Sequence, residues 1–378
     1  MPPDTHPKRE QRPARLQKRK HFMSTPDHAP AILAHFTEQG RWCRQLGSDF
    51  TADMIDQFAA DYRANGPIAQ LLADWPSDPR ADALALRICA ALNGAGIMGQ
   101  SPELAAVYPQ ASPEASAADI WPIVHGFLIS NMDWVRAYLQ YAPQTNETAR
   151  SIALLPGFLD LAARYDLPMN LLELGASAGL NQNWDKFGYK TESWSRDGTS
   201  QVCISTDWKG PPPANLDATF NISSRAGCDL NPLDIHDPHE ALRLRSYIWP
   251  DQSARLNRFD GALKLARDMN TRIDTADASE WLAAKLAARP SNALTIVYHS
   301  VFLQYPPIAV IRKLMASIRA AGEQADKNAP LAWLCFEPEA LFGGAQNSPK
   351  VITRLQTWPG GDVKVCGSSN GHVTWFEA

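Results

Sequence analysis

Leu171-Leu-Glu-Leu-Gly-Ala-Ser-Ala-Gly-Leu-Asn181 is the stretch that decides the fold. A short apolar run that stops at an acidic residue, turns on glycines and opens a helix is how open α/β sheets build a nucleotide cradle. Leu171, Leu172 and Leu174 predict the end of a buried strand. Gly175 permits a tight turn, and Gly179 lets the following helix pack near the strand, so that first-turn N–H groups face the crevice. The string from Gly175 to Gly179 also reads G-x-S-x-G, the nucleophile elbow of serine hydrolases with Ser177 at its centre. Either way the segment nominates the active face.

Downstream, short apolar runs alternate with helical patterns. Strand-like stretches fall at residues 201–206, 218–223, 272–275, 294–299 and 331–336, with helices at 238–247, 252–270, 278–288 and 308–321. This alternation predicts a mostly parallel sheet with right-handed crossovers. Residues 363–366 and 373–376 flank a Gly-Ser-Ser-Asn-Gly turn and predict a C-terminal antiparallel hairpin. Upstream, from Ile32 to Tyr141, apolar residues recur at helical spacing only, and Asn146 to Ala163 predicts one more helix, capped by Thr145 or Asn146. The expected organisation is a basic tail (1–22), a helical cap domain (23–144) and an α/β domain (145–378).

Composition narrows the class. The 378 residues are 45% hydrophobic, enough for a sizeable core. No apolar run approaches the roughly eighteen residues of a membrane span and no signal peptide is visible, so a cytoplasmic protein with no membrane partner is expected. Six cysteines without a C-x-x-C pair predict neither a disulfide framework nor a structural metal. Residues 1–22 carry seven basic side chains against two acidic ones, a local charge of +5, which leaves −9 of the net −4 on the remainder. An acidic body argues against a nucleic-acid groove, and the Pro-containing tail without apolar period reads as disorder, with Met23 an alternative start.

Taken in order, these motifs resemble class I S-adenosylmethionine-dependent methyltransferases over about residues 145 to 378. The resemblance implies a Rossmann-like fold, a seven-stranded and mostly parallel sheet ending in the antiparallel hairpin. It further implies that Glu173, Gly175, Ala176, Ser177, Gly179 and Asn181 form the cofactor loop, with Ser177 where the middle glycine of the family pattern stands. Asp229 would grip the ribose hydroxyls across an insertion near 187–217 that carries Trp208, with Trp184 just before it, both bordering the crevice. Asp277-Ala278 would lie by the adenine. His299-Ser300 and Tyr305-Pro-Pro307 occupy the place of the catalytic Asp/Asn-Pro-Pro-aromatic residues, without the Asp or Asn.

More closely, the chain resembles a bacterial family known as domain of unknown function 2332. The matching stretches are 143–150 (Pro-Gln-Thr-Asn-Glu-Thr-Ala-Arg), 172–181 with Trp184-Asp185, 227–234 (Gly-Cys-Asp-Leu-Asn-Pro-Leu-Asp), Trp249-Pro-Asp251 with Arg255, and 371–375 (Gly-His-Val-Thr-Trp), over most of residues 80 to 378.

Several residues carry two readings. Asn146, Glu147 and Arg150 are either a helix cap with an i, i+3 ion pair or groups that align substrate. Arg255 is either core packing or, facing the crevice, the mark of an anionic substrate. His299 is a general base or a hydrogen-bonded core histidine. His236 and His239 flank Asp237-Pro238, a turn more than a metal site. For the hydrolase reading, His125-Gly126 stands in for the oxyanion segment and Asp362 and His372 complete the order Ser, Asp, His. The reading preferred is methyl transfer from S-adenosylmethionine to a small molecule, with His299 and Tyr305 catalytic. The alternatives are a serine hydrolase using Ser177 and a non-catalytic cofactor sensor.

Overall fold

Among the described residues upstream of 165 every regular element is a helix, because no run there alternates at a period of two. The computed structural model describes residues 29–378 apart from Thr145 and Asn347. The basic tail, Met23 and a cap at Thr145 lie outside the described residues. Seven helices come first: α1 (Ala29–Gln45), α2 (Asp49–Arg63), α3 (Pro67–Leu72), α4 (Leu84–Ile97), α5 (Pro102–Val107), α6 (Ala117–Ser130) and α7 (Met132–Tyr138). Ser48, Ser101 and Ser116 start α2, α5 and α6 by accepting from the amides of Thr51, Leu104 and Asp119. Their apolar faces share one core, and the segment after α9 (Pro238–Ser246) plugs into it with Tyr247 and Trp249. Asn93 fixes that plug by donating to the carbonyls of Ser246 and Ile248, and Tyr138 bonds Ser246 through its hydroxyl.

The second half follows the predicted alternation. After α8 (Arg150–Arg164) and β1 (Met169–Leu174) comes a 3₁₀ helix (Leu180–Lys186), then β2 (Gly188–Lys190), β3 (Ser195–Arg196), β4 (Cys203–Ser205), β5 (Asp207–Lys209) and β6 (Ile222–Asp229). Beyond α9 lie α10 (Ser253–Asp268), β7 (Asp274–Thr275), α11 (Ala278–Ala287), β8 (Leu294–Ser300), α12 (Ile308–Glu323) and β9 (Leu331–Pro338). The chain closes with β10 (Val351–Trp358), β11 (Asp362–Ser369) and β12 (Trp375–Glu377).

The main sheet runs β5-β12-β11-β10-β9-β8-β1-β6-β7. Its parallel part, β7-β6-β1-β8-β9, reverses direction of winding between β1 and β8, which opens a crevice at their carboxyl ends. Both faces are covered. Leu171, Tyr298 and Phe336 face α8 and α10, while Leu172, Val297 and Trp333 face α11 and α12.

Three expectations are corrected. The sheet has nine strands, because β10 was not foreseen and β5 adds an edge beside β12. In β10, Val351, Thr353, Leu355 and Thr357 face inward, so two threonines mask the apolar alternation; Thr353 is satisfied by the carbonyl of Ala153 and Thr357 by Arg164. The foreseen C-terminal hairpin is present as β11 and β12, and it continues an antiparallel meander that begins at β9 and β10. The stretch near residue 203 joins a separate three-stranded sheet, β3-β2-β4, instead of the main one. Trp184 stacks on Phe158 and Trp208 on Phe376, so both are core and neither borders the crevice.

The packing of α8 on β9 needs a glycine. A Cβ on Gly157 would lie 2.3 Å from Leu334 Cδ1, whereas one on Gly126 in α6 would meet nothing within 4 Å. Gly157→Val should therefore destabilise by about 1–3 kcal/mol, and Gly126→Ala should stabilise by up to about 1 kcal/mol. Chemical denaturation of the two variants checks the contrast, and equal effects would contradict it.

Candidate functional site

The carboxyl ends of β1, β6, β7 and β8 surround a cavity of about 380 Å³. Gly175, Ser177, Asp229, Asp277 and Ala278 line one part, and Phe302, Tyr305, Pro306 and Pro307 another. Arg150 and Gln144 line it from the segment that enters α8. Tyr305 stands at the mouth, 74% exposed.

The loop after β1 makes its turns at Gly175 (φ +64°) and Gly179 (φ +74°), and Ser177 between them also adopts a left-handed φ of +54°. A side chain on Gly175 would strike Phe302, whose ring packs directly against it. One on Gly179 would strike Ile273 and Thr271, so that glycine serves packing beneath the loop and not the cavity wall. The loop's amides are largely engaged: Ala176 donates to Cys228 O, Ser177 to Asp229 Oδ2 at 2.9 Å, Gly179 to Ala176 O and Leu180 to Asn146 Oδ1. The other oxygen of Asp229 accepts from Asn231 N. Asp277 caps α11 through the amides of Ser279 and Glu280, and the Ser279 hydroxyl heads the bonds that hold its carboxyl below the ordinary value.

On the opposite wall Val301 has a φ of +51°, a strained conformation for a β-branched residue. It is held by Glu337, fully buried at the end of β9, which accepts from the amides of Phe302 at 2.7 Å and Leu303 at 3.3 Å. Glu337 also meets His299 Nδ1 at 2.6 Å, and Trp333 Nε1 donates to His299 Nε2 at 2.9 Å. Since Nε2 must accept, the proton sits on Nδ1 and points at Glu337. His299 is thus a buried, doubly bonded link and not a base on the cavity wall.

Residues 34–378 match the model of the family described as an uncharacterized protein conserved in bacteria, domain of unknown function 2332. The chain belongs to that family. It matches no curated protein and no solved structure.

All five stretches that carry the family resemblance meet around Glu147 and the loop after β1. Glu147, its side chain 3% exposed, pairs with Arg255 Nε at 2.6 Å, Arg258 Nη2 at 3.6 Å and His372 Nδ1 at 3.9 Å. Burial alone would raise its pKa, but Arg255, His372, Arg258 and the amide of Ala149 overcome this and hold it at about 2. The Glu147–Arg150 pair expected from spacing does not form, because α8 begins only at Arg150 and Glu147 turns toward α10. Arg255 does not line the cavity; its Nε donates to Glu147 and its Nη1 to Gln252. Asn146 and Asn181 act locally, Asn146 through Leu180 N and Asn181 by donating to Glu147 O.

The hydrolase constellation does not assemble. The Ser177 hydroxyl donates to Gln144 Oε1, His372 lies against Trp249, and His125 is beside Asp61 in the helical half. The Asp-rich turn at His236 is ordered by Asp234 and by Asp237, the cap of α9. Among the described residues no group of three or more His, Cys, Asp or Glu could hold a metal, and no helix is long and apolar enough to cross a membrane.

Gln144 and Glu337 were missed from sequence. Gln144 latches the loops after β1 and β6 together, since its amide also donates to Asn231 O. Glu337 had a readable signal, an acidic residue ending an apolar strand just as Glu173 ends β1.

Glu173 itself lies beneath the loop, not on the cavity wall. Its carboxyl is buried with one bond, from the Tyr298 hydroxyl at 3.3 Å. Burial, helped by Asp229, pushes its pKa up to about 8 against the lowering effect of Tyr298. The native state then holds a proton that the unfolded chain releases near 4.5, so stability falls as pH rises from about 4.5 through 8. Glu173→Gln should melt close to the parent near pH 5 and several degrees above it at pH 9. Parallel melting curves across that range would contradict a protonated Glu173.

Proposed function

We propose that this protein is an S-adenosylmethionine-dependent methyltransferase of Rossmann-like fold, acting on a small molecule. The observation that carries the reading is the cavity at the point where the parallel strands reverse their order, walled by the loops of four parallel strands. The donor set favours this cofactor over a dinucleotide. Most amides of the loop after β1 are already bonded within the protein, so a diphosphate finds few donors there. Two aspartates on the wall, Asp229 and Asp277, instead suit hydroxyl groups and positive charge.

In this reading Asp229 and Asp277 would hold the cofactor through the lone pairs left after bonding backbone amides, with Ala278 beside them. Gly175 keeps the wall thin where Phe302 crosses it. Bound there, the cofactor would supply an electrophilic methyl group. The chain's contribution is alignment and exclusion of water: Glu337 fixes the strained loop of Val301 and Phe302, and Tyr305 with Pro306 and Pro307 frames the mouth where the acceptor enters. A sensor that binds the cofactor without turnover would use the same walls, and only product formation separates the two.

A ligand that binds only the native state adds about 2.7 kcal/mol at a hundred times its dissociation constant. Purified protein should melt higher with S-adenosylmethionine or S-adenosylhomocysteine and bind both in calorimetry. Absence of both signals at millimolar ligand would overturn the reading.

A further inference from the structure

Arg150 opens α8 and lines the cavity. Its Nε donates to Gly371 O at 3.0 Å and its Nη1 to Ser300 O at 3.4 Å. Both partners are neutral carbonyls. Among the described residues Arg150 forms no ion pair. The two carboxylates that raise its pKa are engaged elsewhere: Glu147 by Arg255 and Arg258, Glu337 by His299 and two amides. Burial acts against them and is the larger influence, pushing the guanidinium's pKa down, yet such a group stays protonated at neutral pH.

A partly buried cation without a counter-ion is an unusual arrangement, since charges taken out of water are normally paired. The neighbouring imidazole feels the same field. Burial first, then Arg255 and Arg150, push His372 down to about 4 in spite of Glu147, so it is neutral at pH 7. The two carbonyls tether Arg150 between the end of β8 and the turn before β12, and beside it lies the cavity that it lines.

We infer that Arg150 is the carboxylate-binding subsite of the cavity. A guanidinium matches a carboxylate's two oxygens, and the aspartates Asp229 and Asp277 repel an anion from the rest of the wall. The charge layout therefore fits a ligand with a carboxylate at the Arg150 end and hydroxyl or cationic groups at the other. That carboxylate belongs either to the amino-acid end of the proposed cofactor or to the acceptor. The subsite stands on its own; only the naming of these two sources rests on the methyltransferase reading.

Calorimetry on the full chain separates the cases with two matched pairs of probes. S-adenosylhomocysteine is compared with 5′-methylthioadenosine, which lacks the amino-acid end, and 3-phenylpropionate with its uncharged amide. In the parent, at least one carboxylate probe should bind about tenfold or more tighter than its counterpart, the scale of one charged hydrogen bond. Arg150→Gln should remove that preference while leaving the uncharged probes within about twofold, and Arg150→Lys should restore part of it. A preference in the first pair assigns the carboxylate to the cofactor, and one in the second pair to the acceptor. If neither nucleoside binds but 3-phenylpropionate still exceeds its amide, the cofactor reading fails and the subsite stands. The inference is overturned if neither pair shows a preference in the parent, if no probe binds, or if Arg150→Gln keeps the preference. Should that variant not fold, Arg150→Lys decides: a weakened preference with the uncharged probes unaffected supports the inference, and a preference unchanged from the parent overturns it.

Discussion

The arrangement around the cavity depends on one buried ion pair, Glu147 with Arg255. It joins the segment entering α8 to α10 across 108 residues of chain. Its backbone carbonyl receives Asn181, its neighbour Asn146 caps the turn after Gly179, and Arg150 three residues on reaches the cavity. Removing one partner of such a pair strands a charge in the interior, at about 3–5 kcal/mol. Arg258 and His372 close the same cluster, but His372 is neutral at pH 7, so the ionic part is the two arginines on one carboxylate.

Two further carboxylates do similar work on opposite walls. Asp229 secures the amide of Ser177, a non-glycine residue in the left-handed region, and Glu337 secures the amides that follow Val301, another. Such strain persists only where the surroundings over-determine it. Acidic side chains at strand ends thus shape this crevice mainly by gripping backbone. His299, bonded to Glu337 and Trp333, and Glu173, bonded to Tyr298, belong to the same frame through side-chain contacts.

Much of the fold was legible because its signals are local. Helical spacing before residue 141, the apolar run into Gly175 and the strand-helix alternation all follow from side-chain periodicity. β10 was not legible, since threonines at its inward positions are satisfied by distant partners, the Ala153 carbonyl and Arg164. At the site, Gly175, Ser177, Asp229, Asp277, Ala278, Tyr305 and Arg150 could be named because they sit at strand and helix ends, where topology brings loops together. Roles were harder. Whether Arg255 meets a ligand or Glu147, and whether His299 faces water or Trp333, depends on contacts across more than thirty residues of sequence, which spacing alone does not encode.

The proposed activity requires the crevice between β1 and β8 to be the ligand site. A crystal structure of the protein grown with S-adenosylhomocysteine tests it most directly. The nucleoside is expected between the loops at Gly175–Ser177, Asp229–Asn231 and Asp277–Ala278, beside Phe302. Ligand density at any other place, or an empty crevice in crystals grown at saturating ligand, would contradict it.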